Sequence, residues 1–228
     1  VFLEDCQKAW GKALPGWARG AYCDEISGVS CDSAGMITVI SLKNQTLNGS
    51  IPDSISSLTS LSDLTLTNNN LIGSIPNSIS GLSQLTFLDL SDNSFTGSIP
   101  SGIHLLPQLS YLSLSYSSLM GSIPNNIYGL PQLFYLSLSN TALTGSIPST
   151  ILWLDDLTYL SLSYNGLTGF IPTVIGRLTR LSYLTLSNNR LTGSIPSDIF
   201  TLPQLTYLSL TNNKLNGSIP NSISMLSQ

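Results

Sequence analysis

The tetrad Gly-Ser-Ile-Pro begins at Gly49, Gly73, Gly97, Gly121, Gly145, Gly169, Gly193 and Gly217, with Phe170 standing once in the serine place. The period is 24 residues, without an insertion or deletion. A chain so constrained folds as one supersecondary unit repeated along an axis, each copy resting on its neighbours. Aligned on the glycine, the units read L-x-x-L-x-L-x-x-N-x-L-x-G-x-I-P-x-x-I-x-x-L from Ile37 to Leu226, eight coils in all.

Each position has a physical reading. The L-x-L segment alternates apolar and polar residues, as a short half-buried strand does. The asparagine after it can satisfy backbone groups of its own and neighbouring turns, so a ladder of these amides bends every coil alike. Gln45, Ser117 and Thr141 replace it in three coils, where the ladder is expected to be weaker. Glycine tolerates positive φ and proline cannot continue a ladder, so together they turn the chain. The closing I-x-x-L has helical spacing over about one turn. One coil buries too little to stand alone, and stability must come from stacking.

Composition removes several function classes. Charged residues are 9% of the 228 and the net charge is −4, which leaves no basic patch for nucleic acid. No apolar run reaches the ~18 residues that span a bilayer. One histidine and three cysteines cannot build a His-based cluster or a four-cysteine zinc site, and no cofactor is expected. The chain starts at Val1, which reads as a processed or trimmed chain.

The repeat resembles the leucine-rich repeat family, in its plant-type L-x-G-x-I-P form, similar to receptor-kinase ectodomains and secreted proteins of that family. The resemblance implies an α/β solenoid, a right-handed superhelix with a parallel sheet on the concave face and short helical or 3-10 turns on the convex side. Residues 36–228 form the eight repeats, with no C-terminal cap, so the apolar edge of the last coil is expected to lie uncovered. Residues 1–35 break the period and hold Cys6, Cys23, Cys31, Trp10 and Trp17, and read as an N-terminal cap. The stretch from Cys23 to Cys31 is similar to the family's C-x-W-x-G-V-x-C cap motif, with Gly28 and Val29 in place, one extra residue, and Ile26 where the family has Trp. The resemblance implies a Cys23–Cys31 disulfide and an extracellular compartment, secreted or cell-surface. Cys6 is then free, bonded outside the chain, or the true partner of one of the others. Sequons at Asn44, Asn48 and Asn216 are candidate glycosylation sites.

Coils in register turn each outward position into a column. One column is Val39, Asp63, Phe87, Tyr111, Tyr135, Tyr159, Tyr183 and Tyr207. Ser/Thr-rich columns flank it, and beside them runs Asn44, Asn68, Asp92, Tyr116, Asn140, Tyr164, Asn188 and Asn212. Phe87, the five column tyrosines, Tyr116 and Tyr164 are the candidate ligand-binding residues: rigid aromatic faces beside hydroxyl and amide donors suit a glycan, peptide or protein partner. As contact residues, Tyr135, Tyr159 and Tyr183 are expected to be replaceable by alanine without loss of fold. The competing reading is that aromatic stacks and hydroxyl ladders merely stabilise the sheet.

Two other functions fit parts of the pattern. Subunits could stack into an extracellular fibre through the bare last coil, with Cys6 linking chains. Ice binding could use a second Thr/Ser array on the flank, Thr96 with Ser98, Thr144 with Ser146 and Thr192 with Ser194, interrupted by Ile72, Met120 and Phe170. Catalysis is not expected: Asp63 and Asp89 lie about 8 Å apart on an open surface, and His104 reads as a surface residue.

Overall fold

The computed structural model describes residues 2–10, 23 and 27–225. Trp17, Ile26 and Leu226, which entered the sequence reading, lie outside the described residues.

The x-L-x core of each coil forms a strand, three residues long except in the first coil where it has five, and these strands stack as one parallel sheet. Tyr111–Ser113, Tyr135–Ser137, Tyr159–Ser161, Tyr183–Thr185 and Tyr207–Ser209 pair residue for residue at an offset of 24, so Tyr135 lies between Tyr111 and Tyr159. The sheet continues through Phe87–Asp89, Asp63–Thr65 and Ile37–Ser41, and ends on Val29–Cys31, which runs antiparallel. The fold is the expected solenoid. On its convex side every Ile-Pro leads into a five-residue 3-10 turn, such as Asn77–Gly81, whose proline cap is extended. Two-to-five-residue strands around the tetrad glycines, such as Asn70–Ser74, add short parallel pairings on the flank.

The core is a continuous column of aliphatic side chains. Leu64, Leu88, Leu112, Leu136, Leu160 and Leu184 are each 0–1% exposed, and the isoleucines of the 3-10 turns meet them from the convex side. The asparagine ladder binds the coils. Asn93 Nδ2 donates to the carbonyls of Leu66 and Leu90 (2.8 and 3.1 Å) and its Oδ1 accepts from the Leu71 amide at 3.0 Å. Asn189 repeats this with Leu162, Leu186 and Leu167. Ser117, one of the replacements, reaches only its own coil, at the Leu114 carbonyl.

An amphipathic α-helix, Phe2–Trp10, covers the first coil. Trp10 is 2% exposed and its indole N–H donates to the Ser50 carbonyl at 3.0 Å. Gly49 permits this approach, because a Cβ there would run into the Ala9 carbonyl. Cys23 and Cys31 are joined by a disulfide. Cys6 is buried, unbonded to another cysteine, and its thiol is held far above the ordinary range, first by desolvation and then by Asp5. This corrects the expectation that Cys6 could link chains: a thiol inside the core cannot reach a second molecule without the helix lifting away. At the far end Ile219, Ile223 and Met225 are exposed. Among the described residues no helix is long and apolar enough to cross a membrane.

Candidate functional site

The sheet carries the aromatic column where the register places it. Phe87, Tyr111, Tyr135, Tyr159, Tyr183 and Tyr207 form one stack, with ring centroids 4.1–4.4 Å apart and interplanar angles of 4–11°. That geometry alters the expected chemistry. Each of the four inner rings, Tyr111 to Tyr183, spends both faces on its neighbours, so apart from the outer faces at the two ends the column offers edges and hydroxyls rather than open faces for sugar stacking. The rings are half-buried except for Tyr207, the last, which is exposed.

The Ser/Thr columns beside it are not a row of free donors either. Ser113, Ser115, Ser137, Ser139, Ser161 and Ser163 are buried, and most bond to hydroxyls of the neighbouring coil: Ser115 Oγ lies 2.7 Å from Ser137 Oγ, Ser139 Oγ 2.6 Å from Ser161 Oγ, and Ser163 Oγ 2.6 Å from Thr185 Oγ1. Ser115 and Ser139 also accept the amide N–H of Ser139 and Ser163, the same position one coil on, each at 3.0 Å. The strand has ended there, and the serine oxygen replaces the missing carbonyl. In coil three the Asp89 carboxylate accepts from both the amide and the hydroxyl of Ser91.

Between the tyrosine edges and the asparagine column runs a groove of about 610 Å³ from Asp89 and Asp92 to Tyr207 and Asn212, floored by these hydroxyls. Its second wall is unusual. It runs from Asp92 to Asn212 in a column that begins beyond the groove at Asn44 and Asn68, and all eight positions, Tyr116, Asn140, Tyr164 and Asn188 among them, have φ between 53 and 55°. Asparagine and aspartate tolerate this left-handed region; tyrosine does not do so readily. Tyr116 and Tyr164 nevertheless occupy it, with 57% and 56% of their surface exposed. Their backbone is pinned like the others, the amides donating to Ser139 and Ser187 at 2.9 and 3.0 Å. The structure thus brings seven of the eight candidate aromatics to one groove, the stacked tyrosines as one wall and Tyr116 and Tyr164 as projections from the other, while Phe87 extends the stack beyond the groove's end.

Asn44, Asn48 and Asn216 are exposed and lie outside the groove. Asp63 is half-buried, its carboxyl raised mainly by desolvation and lowered in part by the Thr65 hydroxyl and Lys43. Residues the sequence reading passed over are Phe134 and Trp153, both exposed. Phe134 breaks a Ser/Thr column whose hydroxyls bond the preceding coil's carbonyl, as Ser110 and Thr158 do, and that break was visible in the aligned repeats.

The stack has a pH signature. Burial pushes the phenols of Tyr135 and Tyr183 up to about 12, with charge on neighbouring phenols adding to it, and raises Tyr111 and Tyr159 as well. An unfolded phenol ionises near 10, so the unfolded chain loses protons first. Stability from this source is complete below pH ~10 and falls as pH rises towards ~12. In an alkaline titration, phenolate absorbance of the folded protein should lag that of the protein in urea, and the unfolding midpoint should fall across the same window. Superimposed titrations would contradict the stacked, desolvated geometry.

A stack of identical coils with a grooved concave sheet defines the class of solenoid repeat proteins. The leucine rich repeat profile matches residues 36–95 and 146–191, a two-copy form matches 179–224, and a single-repeat form matches 108–130. The chain belongs to the leucine-rich repeat family. Among solved structures it resembles PEPR1 in the PEPR1-AtPEP1 complex, at 29% identity and a TM-score of 0.88 over 99% of this chain and 36% of that one. It also resembles the ectodomain of the receptor kinase GASSHO1/SCHENGEN3 from Arabidopsis thaliana, solved with CASPARIAN STRIP INTEGRITY FACTOR 2, at 34% identity and 0.86 over 98% and 31%. A plant ice-binding protein matches at 30% identity and 0.86 over 98% and 81%. The chain therefore spans about a third of the length of these receptor ectodomains. No curated protein sequence matches it.

Proposed function

We propose that this chain is an extracellular recognition module that binds an extended polypeptide in the concave groove. The observation that carries the reading is the pair Tyr116 and Tyr164, exposed aromatics held at a conformational cost of about 1–2 kcal/mol each where the other coils use Asn or Asp. Strain kept at an exposed position points to function rather than packing. A peptide ligand accords with the similar ectodomains solved with peptide hormones, such as RGFR1 with RGF2 and HAESA with IDA. An extracellular setting accords with those relatives and with the Cys23–Cys31 disulfide.

A glycan fits less well, since the stack hides the faces of its inner rings. The ice-binding relative turns attention to the flank, but there the hydroxyl columns are broken by Ile72, Met120 and Phe170, the last 70% exposed. The groove has no such interruption.

The test is an array of extended synthetic peptides and plant cell-wall oligosaccharides, probed with the wild-type chain and the Tyr116→Asn/Tyr164→Asn double variant. Peptides should be retained by the wild type and lost at least tenfold by the variant. The variant's unfolding midpoint should be unchanged or higher, because asparagine relieves the left-handed backbone. Peptide retention that ignores both substitutions, or retention of sugars alone, would overturn the reading.

A further inference from the structure

Tyr116 and Tyr164 do more than project into the groove: they are set apart by a fixed interval. They occupy one column two coils apart, with the smaller Asn140 between them. Adjacent strands lie ~4.8 Å apart, so the interval is about 9.6 Å at the backbone; the stack beside them, with rings 4.2 Å apart from Tyr111 to Tyr135 and again from Tyr135 to Tyr159, shortens it slightly towards the concave side.

This interval discriminates between ligand conformations. A β-strand repeats the same face every two residues, about 6.6 Å, and next at about 13 Å, so it cannot present one face to both tyrosines. An α-helix brings one face round every ~5.4 Å and next at ~10.8 Å, which overshoots the interval. A polyproline-II segment returns to the same face every three residues at ~3.1 Å each, about 9.3 Å. It matches. Polyproline-II chains also hold their carbonyls out to the surroundings, and proline-rich segments dock on aromatic-lined grooves because little conformational freedom is lost on binding. The groove carries acid at one end only, Asp89 and Asp92 in coil three, which favours a cationic group at that end of the ligand.

Resting on the recognition reading above, we infer that the ligand is a polyproline-II peptide segment, its residues i and i+3 seated against Tyr116 and Tyr164 and a basic residue or amino terminus beside Asp89 and Asp92. The stack edges form the opposite wall and need no change of conformation to receive it.

The experiment uses calorimetric titration of the chain with a peptide of two lysines followed by nine prolines. The control is a threonine- and valine-rich peptide of equal length and charge. The oligoproline should bind at least tenfold more tightly. The decisive variant moves one tyrosine by a coil, Asn140→Tyr with Tyr164→Asn, keeping the number of rings and halving the interval. It should lose the oligoproline preference by about tenfold while its unfolding midpoint stays near the wild type's. Asp89→Asn/Asp92→Asn should weaken the lysine-bearing peptide and leave an uncharged oligoproline unaffected. Oligoproline binding that survives the shifted tyrosine would overturn the inference, as would no oligoproline binding at all. If in that last case the β-prone control binds and is lost in Tyr116→Asn/Tyr164→Asn, the groove remains a peptide site and only the ligand's conformation was misjudged. If neither peptide binds, the recognition reading falls with the inference.

Discussion

Asn189→Ala is expected to lower the unfolding free energy by about 3 kcal/mol. The amide is 8% exposed and joins two coils: Nδ2 donates to Leu162 and Leu186 at 2.9 and 3.0 Å, and Oδ1 accepts from Leu167 at 3.0 Å. Alanine strands those three backbone groups in an interior where an unmade hydrogen bond costs about 1–3 kcal/mol each, and water reaching the groove edge offsets a part. Ser117→Ala removes only the 2.9 Å bond to Leu114 within the same coil and should cost about 1 kcal/mol. Urea midpoints for the two variants measure the contrast. Equal losses would mean that the ladder does not bind coil to coil.

The second large effect concerns the stack. Tyr159 has rings on both sides, 4.2 Å to Tyr135 and 4.4 Å to Tyr183, so Tyr159→Ala should cost about 2–3 kcal/mol, below the range for a fully buried aromatic because the ring is half-buried. Replacing Tyr135, Tyr159 and Tyr183 together should cost about twice that or more, and not additively, since the three share contacts. This packing runs against the expectation from sequence that these rings can be removed without harm to the fold. Tyr→Phe at the same positions should be nearly neutral, because it keeps the stacked area. A triple alanine chain unfolding at the wild-type urea midpoint would show that the rings contribute nothing structural.

Much of the fold was legible because a strict period turns position into place. The glycine-proline punctuation, the alternating leucines and the asparagine ladder each dictated one element, and the elements formed. The candidate site was legible only in outline. A column of tyrosines is written in the sequence, but whether neighbouring rings stand apart or lie face to face depends on rotamers shared along the stack. The serine columns looked like donors; Ser115 and Ser139 turned out to replace carbonyls that the strands, ending early, cannot supply. One signal was readable and missed. A column of Asn and Asp implies left-handed backbone, and Tyr116 and Tyr164 stand out against it once that is recognised. Cys6 could not be placed from its spacing, because its burial depends on a helix docking against Gly49 and Ser50 in the first coil.

Coils of equal length have a further consequence for how such a chain can change. Duplicating or deleting one 24-residue unit after coil six would lengthen or trim the groove by a single rung and leave every remaining wall intact. The same event between Met120 and Leu160 would move Tyr164 relative to Tyr116 by one rung, so that a partner suited to the old interval no longer fits. Gene-level gain and loss of units is in this sense a coarse adjustment with two settings, one affecting reach and the other affecting choice of partner.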